Sequence, residues 1–269
     1  MADIDFQVRS ERPELAEDFS MGRFPNIIGA SLAVCLLASC ASNPSQAPVN
    51  DQFERVNRVT YRFNEKADEW VLRPVAVTYD RVTPSPIQRG IGNFFSNLGE
   101  PVRFVNDVLQ AKPRQAVTDL GRFVLNSTFG ILGFFDLATD WAGLPRSDED
   151  FGQTLGYWGV PMGWYVVVPL YGGTTIRDGV GAVADWQWNP LQTIDEERVE
   201  WSLLALRVID LRAGLLDADQ TLKTVYDPYS FVRDAYFQRR LAKVYDGNPP
   251  QPRLEGPDDG KMAPPWESN

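Results

Sequence analysis

Two thiols and no imidazole set the chemical range of this 269-residue chain: its cysteines are Cys35 and Cys40, and it contains no His. Imidazole is the usual general base near neutral pH and the commonest metal ligand, so His-based triads, HExxH zinc sites and imidazole proton relays are excluded. Both cysteines fall in one apolar stretch near the N-terminus, which leaves the rest of the chain without a thiol nucleophile, a thiolate ligand or a disulfide. The chemistry open to Cys40 is acylation. Leu37-Ala38-Ser39-Cys40 has the form of a bacterial lipobox, in which the chain is cut before the Cys and the Cys thiol carries diacylglycerol. Cys35 is the rival, but Val34 is branched where a small residue is required, and the apolar run ahead of it would be shorter.

Other chemical motifs are scarce. A lipase nucleophile elbow, a Ser-Lys pair and a phosphate-binding P-loop all lack their sequences. Gly179-Val180-Gly181-Ala182-Val183-Ala184 fits a loose dinucleotide fingerprint, yet it follows Arg177-Asp178 instead of a buried strand, and no βαβ alternation surrounds it. Small residues there suit close helix packing. Asp148-Glu149-Asp150 has the makings of an acid/base pair but reads as a solvated acidic loop. A net charge of −10 argues against a nucleic-acid partner, which would demand a basic patch. The reading is of a non-enzyme with no cofactor, no metal and no catalytic residues.

The elements that position these residues begin with residues 1–39, read as a signal peptide. The run from Met21 to Cys40 carries Arg23, then an apolar core, then small residues, and is too short to span a bilayer. Residues 1–20 hold six acids and two arginines, the reverse of a basic leader, which places the natural start at Met21. Residues 40–50 form a small, polar, Pro-containing tether, 51–245 one domain, and 246–269, with six Pro and three Gly, a disordered acidic tail.

Within the domain, Phe53, Val56, Thr60, Phe63, Ala67, Trp70 and Val71 recur at helical spacing and predict an amphipathic helix over about 52–72. Pro86, Pro101 and Pro113 each mark a helix start. Ala116, Val117, Leu120, Phe123 and Val124 continue the period after Pro113. A helix over about 195–215 has two apolar stripes, as for one buried on several sides or touching lipid. Asp227-Pro228 opens a last helix running to Val244. Residues 152–176 carry no charge but six Gly and two Pro, which forbids a lone spanning helix; Tyr165–Val168 is at most a short edge strand. A second charge-free run, 123–135, is too short to cross a bilayer and suits one leaflet. Trp141, Trp158, Trp164, Trp186, Trp188 and Trp201 suit either the headgroup level or a core.

Eight motifs in order then identify a resemblance. They are Phe53-Glu54-Arg55-Val56-Asn57-Arg58 with Phe63-Asn64; Arg73-Pro74-Val75-Ala76; Asn93 to Leu98 with Glu100-Pro101; Arg122 to Thr128 with Gly130 and Gly133; Glu149 to Gly156; Tyr165 to Leu170 with Gly172; Arg177-Asp178-Gly179; and Asp227-Pro228-Tyr229 leading to Tyr236 to Arg240. Over residues 51–240 the chain resembles the MlaA/VacJ outer-membrane lipoproteins. The resemblance implies a mainly α, ring-like helical domain embedded in one membrane leaflet, with an irregular Gly/Pro-rich apolar loop and at most a short strand pair. It implies an outer-membrane lipoprotein facing the periplasm that removes misplaced phospholipid through an amphipathic channel, passes it to a periplasmic lipid carrier, and associates with trimeric porins. Ala41, rather than Asp, after the Cys favours the outer membrane.

For the lipid path the candidates are Phe63, Asn64, Asn126, Ser127, Thr128, Gly130 and Gly133: amides and hydroxyls among phenylalanines for headgroups, glycines for a gate or close backbone approach. Asn64 and Asn126 are equally readable as helix caps or turn residues, and Arg122 and Arg177 as structural salt bridges rather than phosphate ligands. The alternative function is a scaffold that docks porins or an envelope complex, with the 195–215 helix as the contact. Metabolic labelling with a radioactive fatty acid tests the anchor: the unmodified chain is expected to incorporate label and Cys40→Ser none. Label retained in Cys40→Ser would move the attachment elsewhere.

Overall fold

The computed structural model describes residues 51–250; the signal segment, Cys40, the tether and all of the tail beyond 250 lie outside them. The predicted first helix is part of a longer rod: α1 (Glu54–Ala67), a π-helical turn (Asp68–Leu72) and α2 (Arg73–Val82) follow one another without a break. Pro74 explains the middle piece. Its ring would strike the carbonyl four residues back in a regular α-helix, and the wider π turn just before it relieves that clash. The helix α3 (Ser85–Leu109) starts with Pro86 in its first turn, as expected. Pro101 does not start a helix; it lies inside α3. A mid-helix Pro leaves the carbonyl four residues back, here that of Asn97, without its N–H donor, and one residue earlier Arg103 Nη2 donates to the Ser96 carbonyl at 2.5 Å.

Pro113 opens α4 (Pro113–Thr128), followed by the short α5 (Leu137–Asp140) and α6 (Phe151–Tyr157). Strands β1 (Tyr165–Val168) and β2 (Gly172–Thr175) form one antiparallel hairpin with Tyr165 opposite Thr175. Then come α7 (Ile176–Gln187), a 3-10 turn (Pro190–Thr193), α8 (Glu197–Ala213), α9 (Ala218–Thr224) and α10 (Pro228–Val244). Side chains of Asp150, Thr175 and Asp227 cap α6, α7 and α10 by accepting first-turn N–H groups. The domain is thus mainly α, with the predicted strand pair inside the charge-free segment.

Packing relations close on themselves. The rod lies against α8 through α2 and against β1 through α1; α8 lies on α3, α3 on α4 and α6, α6 on α7 and α10, and both of these return to β2. Gly181 of α7 packs tightly against α6, where an added Cβ would fall on the backbone nitrogen of Gly152. The Gly-rich run 179–184 therefore serves helix packing. Among the described residues no helix is long and apolar enough to cross a membrane.

Burial is inverted relative to a water-soluble core. Among the described residues eight hydrophobic side chains are buried against 17 polar or charged ones, while 36 large hydrophobics are exposed. In α4 Val117, Leu120 and Val124 of the predicted apolar stripe point outward, Val117 being 70% exposed, while Ala116 of that stripe lies on the buried face with Asp119, Arg122 and Asn126. In α1 the buried residue is Asn57, and Val56 and Phe63 are exposed. No residue of α8 is buried. A small aromatic cluster of Tyr165, Val167 and Tyr229, with Tyr61, Tyr236 and Phe237 against it, is the largest apolar centre described.

The polar interior includes two carboxyl groups with no cation between them. Asp107 of α3 and Asp119 of α4 are both fully buried; neither oxygen of Asp107 has a hydrogen-bond partner, and Asp119 accepts from the Ser147 hydroxyl. Lys112 nearby is committed to Glu149 and Asp246. Burial first, and then the facing Asp119 and Glu149, push Asp107 up to about 8, so at neutral pH it keeps a proton. A raised folded-state pKa stabilises the protonated fold; that contribution is whole below the ordinary carboxylate pKa and is lost as pH rises through about 8. Thermal melts between pH 6 and pH 9 are expected to show falling stability that Asp107→Asn flattens. Equal slopes in both proteins would exclude the Asp107 proton as the cause.

Candidate functional site

Asn126, Ser127, Gly130 and Gly133 come together at the end of α4, around the apolar turn 129–136. The buried Asn126 is not a helix cap: its Nδ2 donates to Asp136 at 2.9 Å, its Oδ1 accepts from Ala138 N at 2.8 Å, and its carbonyl accepts from Gly133 N at 2.8 Å. Ser127 Oγ accepts from Asn97 Nδ2 of α3 at 2.8 Å. Thr128 turns its hydroxyl back to the Val124 carbonyl. Gly130 and Gly133 are buried, and a Cβ at Gly133 would fall on the Asn97 side chain. Ile131, Leu132 and Gly133 all have positive φ, at 51°, 54° and 92°. Two bulky residues in that region are unusual and are held there only by surrounding bonds. The result is a fixed apolar tip: Phe129, Ile131, Leu132 and Phe135 are all exposed above the Asn126 and Asn97 amides.

Phe63 and Asn64 serve a different place. Phe63 is exposed on α1, and Asn64 lies within the helix, not at its cap. The Asn64 amide brackets the hairpin, donating to the Val168 carbonyl at 3.0 Å and accepting from Leu170 N at 2.8 Å. Two helical turns earlier, Asn57 does the same to Tyr165 O at 3.0 Å and Val167 N at 2.9 Å. Asn57 thus stands in for a third strand along β1, and Asn64 on the same helix clasps the start of the turn that follows it. Asn57 was not singled out from the sequence, although its seven-residue spacing from Asn64 is the signal that would have found it.

A buried guanidinium ties the tip to the rest. Arg122 is fully buried and donates Nε to Glu100 at 3.0 Å, Nη1 to Thr139 at 2.9 Å and Leu144 O at 2.6 Å, and Nη2 to both Asp136 oxygens at 3.0 Å. Burial alone would raise Asp136, but the bonds from Asn126, Thr139 and Arg122 outweigh it and hold the carboxylate below its usual range. Arg177 likewise pairs with Asp178, which joins Arg240. Both arginines are structural, as one of their two readings held. The acidic run is not a solvated loop: Glu149 is buried and accepts from Gln110, Lys112 and Gln115, while Asp150 caps α6 and takes a bidentate bond from Arg240. Only Asp148 of the three is exposed. Sequence could not distinguish these because the partners lie on helices far along the chain. Among the described residues no group of three or more acidic or sulfur side chains is placed to hold a metal.

Residues 49–243 match the family described as MlaA lipoprotein. The chain belongs to the MlaA lipoprotein family. A Haemophilus influenzae relative named intermembrane phospholipid transport system lipoprotein MlaA is 35% identical over 249 residues, covering 87% of this chain and 96% of that one. The Escherichia coli relative of the same name is 40% identical over 215 residues, covering 78% and 84%. A solved structure described as "Structural basis for maintenance of bacterial outer membrane lipid asymmetry" matches with a TM-score of 0.66 and 38% identity, over 74% of this chain and 100% of that chain.

In this MlaA family chain the polar contacts around Arg122 decide whether the apolar tip holds its shape. Removing one partner of a buried charged pair typically costs about 3–5 kcal/mol, because the other charge is left unpaired. Arg122→Leu is expected to lose about that much in denaturant unfolding, whereas Thr128→Val, at an exposed hydroxyl, loses well under about 1 kcal/mol. An Arg122→Leu midpoint equal to the parent's would show that Glu100 and Asp136 find other partners.

Proposed function

We propose that this chain is a lipid-anchored outer-membrane protein of an intermembrane phospholipid transport system. It removes phospholipid misplaced in the outer leaflet along an amphipathic path and hands it to a periplasmic carrier; it is not an enzyme. The observation that carries the reading is the inverted burial. Fully covering one large apolar side chain is worth roughly 1.5–3 kcal/mol. The 36 exposed ones therefore forgo tens of kcal/mol in water, more than the roughly 5–15 kcal/mol by which a domain is stable. An acyl phase supplies that cover, and the hydrogen-bonded interior leaves few polar groups to desolvate. Trp70, Trp141, Trp158, Trp188 and Trp201 are all exposed, suiting side chains at the headgroup level. With no spanning helix among the described residues, the domain would embed in one leaflet, its helices in the interface plane.

On this reading Phe63 and the apolar tip above Asn126, Ser127, Thr128, Gly130 and Gly133 touch lipid, and Asn64 holds the hairpin beside the path. The closely packed Gly130 and Gly133 shape the tip rather than leave room for a plug. The second reading, a scaffold docked on a trimeric porin, is favoured by α8, which buries none of its residues yet exposes Trp201, Val208 and Leu211.

Deleting the gene is expected to raise outer-leaflet phospholipid and detergent sensitivity, with both restored by the intact gene. A photo-crosslinking residue in place of Phe63 is expected to capture phospholipid in living cells. Capture of protein alone, with the barrier defect intact, would sink the conduit and leave the scaffold.

A further inference from the structure

Side chains of α1 fall into three strips at helical spacing. Asn57, Tyr61 and Asn64 look toward the hairpin and the aromatic cluster; Val56, Val59 and Phe63 are exposed; Arg58, Arg62 and Glu65 lie on a third side. This third strip forms one wall of a cleft of about 270 Å³ between α1 and the start of α10, where Asp227, Pro228 and Tyr229 face it. Tyr61 lines the cleft too, its ring edge-on to that of Tyr229 with 5.7 Å between centroids.

Part of the charge in this cleft is already spent. Arg58 donates Nε to Glu54 and its two Nη groups to the two Asp227 oxygens, and Asp227 also accepts from the Ser230 hydroxyl. Arg62 and Glu65 differ. Arg62 Nε reaches the Arg58 carbonyl at 3.3 Å, and among the described residues neither its Nη groups nor the Glu65 carboxylate has a partner. Although three residues apart on one helix, they do not pair with each other. A purely anionic ligand would gain Arg62 and be repelled by Glu65, and a purely cationic one the reverse. A zwitterion satisfies both: the guanidinium fork matches phosphate oxygens, and the carboxylate accepts from a primary ammonium. The headgroup of phosphatidylethanolamine carries these two groups on one ethylene link. Arg62 also borders the exposed strip, since Val59 lies one turn before it and Phe63 follows it, so a lipid with its phosphate on Arg62 has apolar side chains beside it for its tails.

We propose that the cleft between α1 and the start of α10 takes the headgroup of phosphatidylethanolamine, with Arg62 on the phosphate, Glu65 on the ammonium, and the acyl chains along Val59 and Phe63. This rests on the transport reading and adds a headgroup class to it. Free phosphoethanolamine carries the same two charges, and the test distinguishes it from the lipid.

Full-length acylated protein in detergent is titrated with short-chain phosphatidylethanolamine, with phosphatidylglycerol of the same chain length, and with soluble phosphoethanolamine as competitor. Arg62→Gln is expected to weaken binding of both lipids by about tenfold, equivalent to ~1.4 kcal/mol. Glu65→Gln is expected to weaken phosphatidylethanolamine alone by a similar factor and so to remove the parent's preference for it. Both side chains are exposed, so both variants are expected to melt with the parent. Arg114→Gln, at an exposed arginine of α4, controls for loss of charge and is expected to bind as the parent does. Undiminished phosphatidylethanolamine binding in both cleft variants, or an equal loss in Arg114→Gln, overturns the site and leaves the transport reading standing. A parent that binds the two lipids equally overturns the zwitterion assignment. Failure of the parent to bind either lipid overturns the transport reading with it, and phosphoethanolamine binding as tightly as the lipid removes the lipid assignment.

Discussion

Arg122 cannot be left half-bonded. A guanidinium with no access to water loses its hydration, and the loss is tolerable only if nearly all its donors are answered. Glu100, Asp136, Thr139 and the Leu144 carbonyl answer them, and so fix α3, α4, α5 and the chain beyond in one relative arrangement. Asp136, fixed in turn, holds Asn126 and Arg146. A water-soluble domain would hold these elements together with leucines. Here directional bonds do that work, and the apolar side chains are released to the outside.

A similar substitution of polar for apolar joining recurs around the circuit. Arg240 joins α10 to Asp150 and Asp178, Arg212 joins α8 to Asp68 in the π turn, and Arg58 joins α1 to Asp227 while lying 4.5 Å over the Tyr229 ring. Each acid sits at or beside the end of an element. Carboxylates at helix starts are favoured by the helix dipole and by free N–H groups, so cap and ion pair reinforce one another at Asp150 and Asp227. Directional joints of this kind fix angles more tightly than a greasy interface.

The helices were legible wherever apolar residues kept a period of about 3.6, and α10 matches its predicted bounds from Pro228 to Val244. What periodicity could not tell was which face looks inward, because an apolar stripe has the same spacing whether it meets a core or lipid. Pro101 misled because a proline that starts a helix and one that lies inside it look alike until the turns before it are seen to continue, as α3 does from Ser85. The acid Glu149 was read as solvated for want of its partner Gln110, 39 residues away. Of the candidate positions, Gly133 and Asn126 were found through motifs; the bonds that explain them run to Asn97 and Asp136 and are properties of the fold.

The hairpin is a two-stranded sheet and therefore has two open edges. Along β1 the Asn57 amide occupies the outward Tyr165 carbonyl and Val167 N–H, Asn64 holds the start of the turn, and on β2 the Tyr236 hydroxyl accepts from Thr175 N at 3.1 Å. An edge so occupied offers few free donors and acceptors to a passing strand. A chain with this much exposed apolar surface is prone to self-association in water, and strand-to-strand growth is the route hardest to reverse. The asparagines and the tyrosine narrow that route by occupying edge groups at which a second strand would pair.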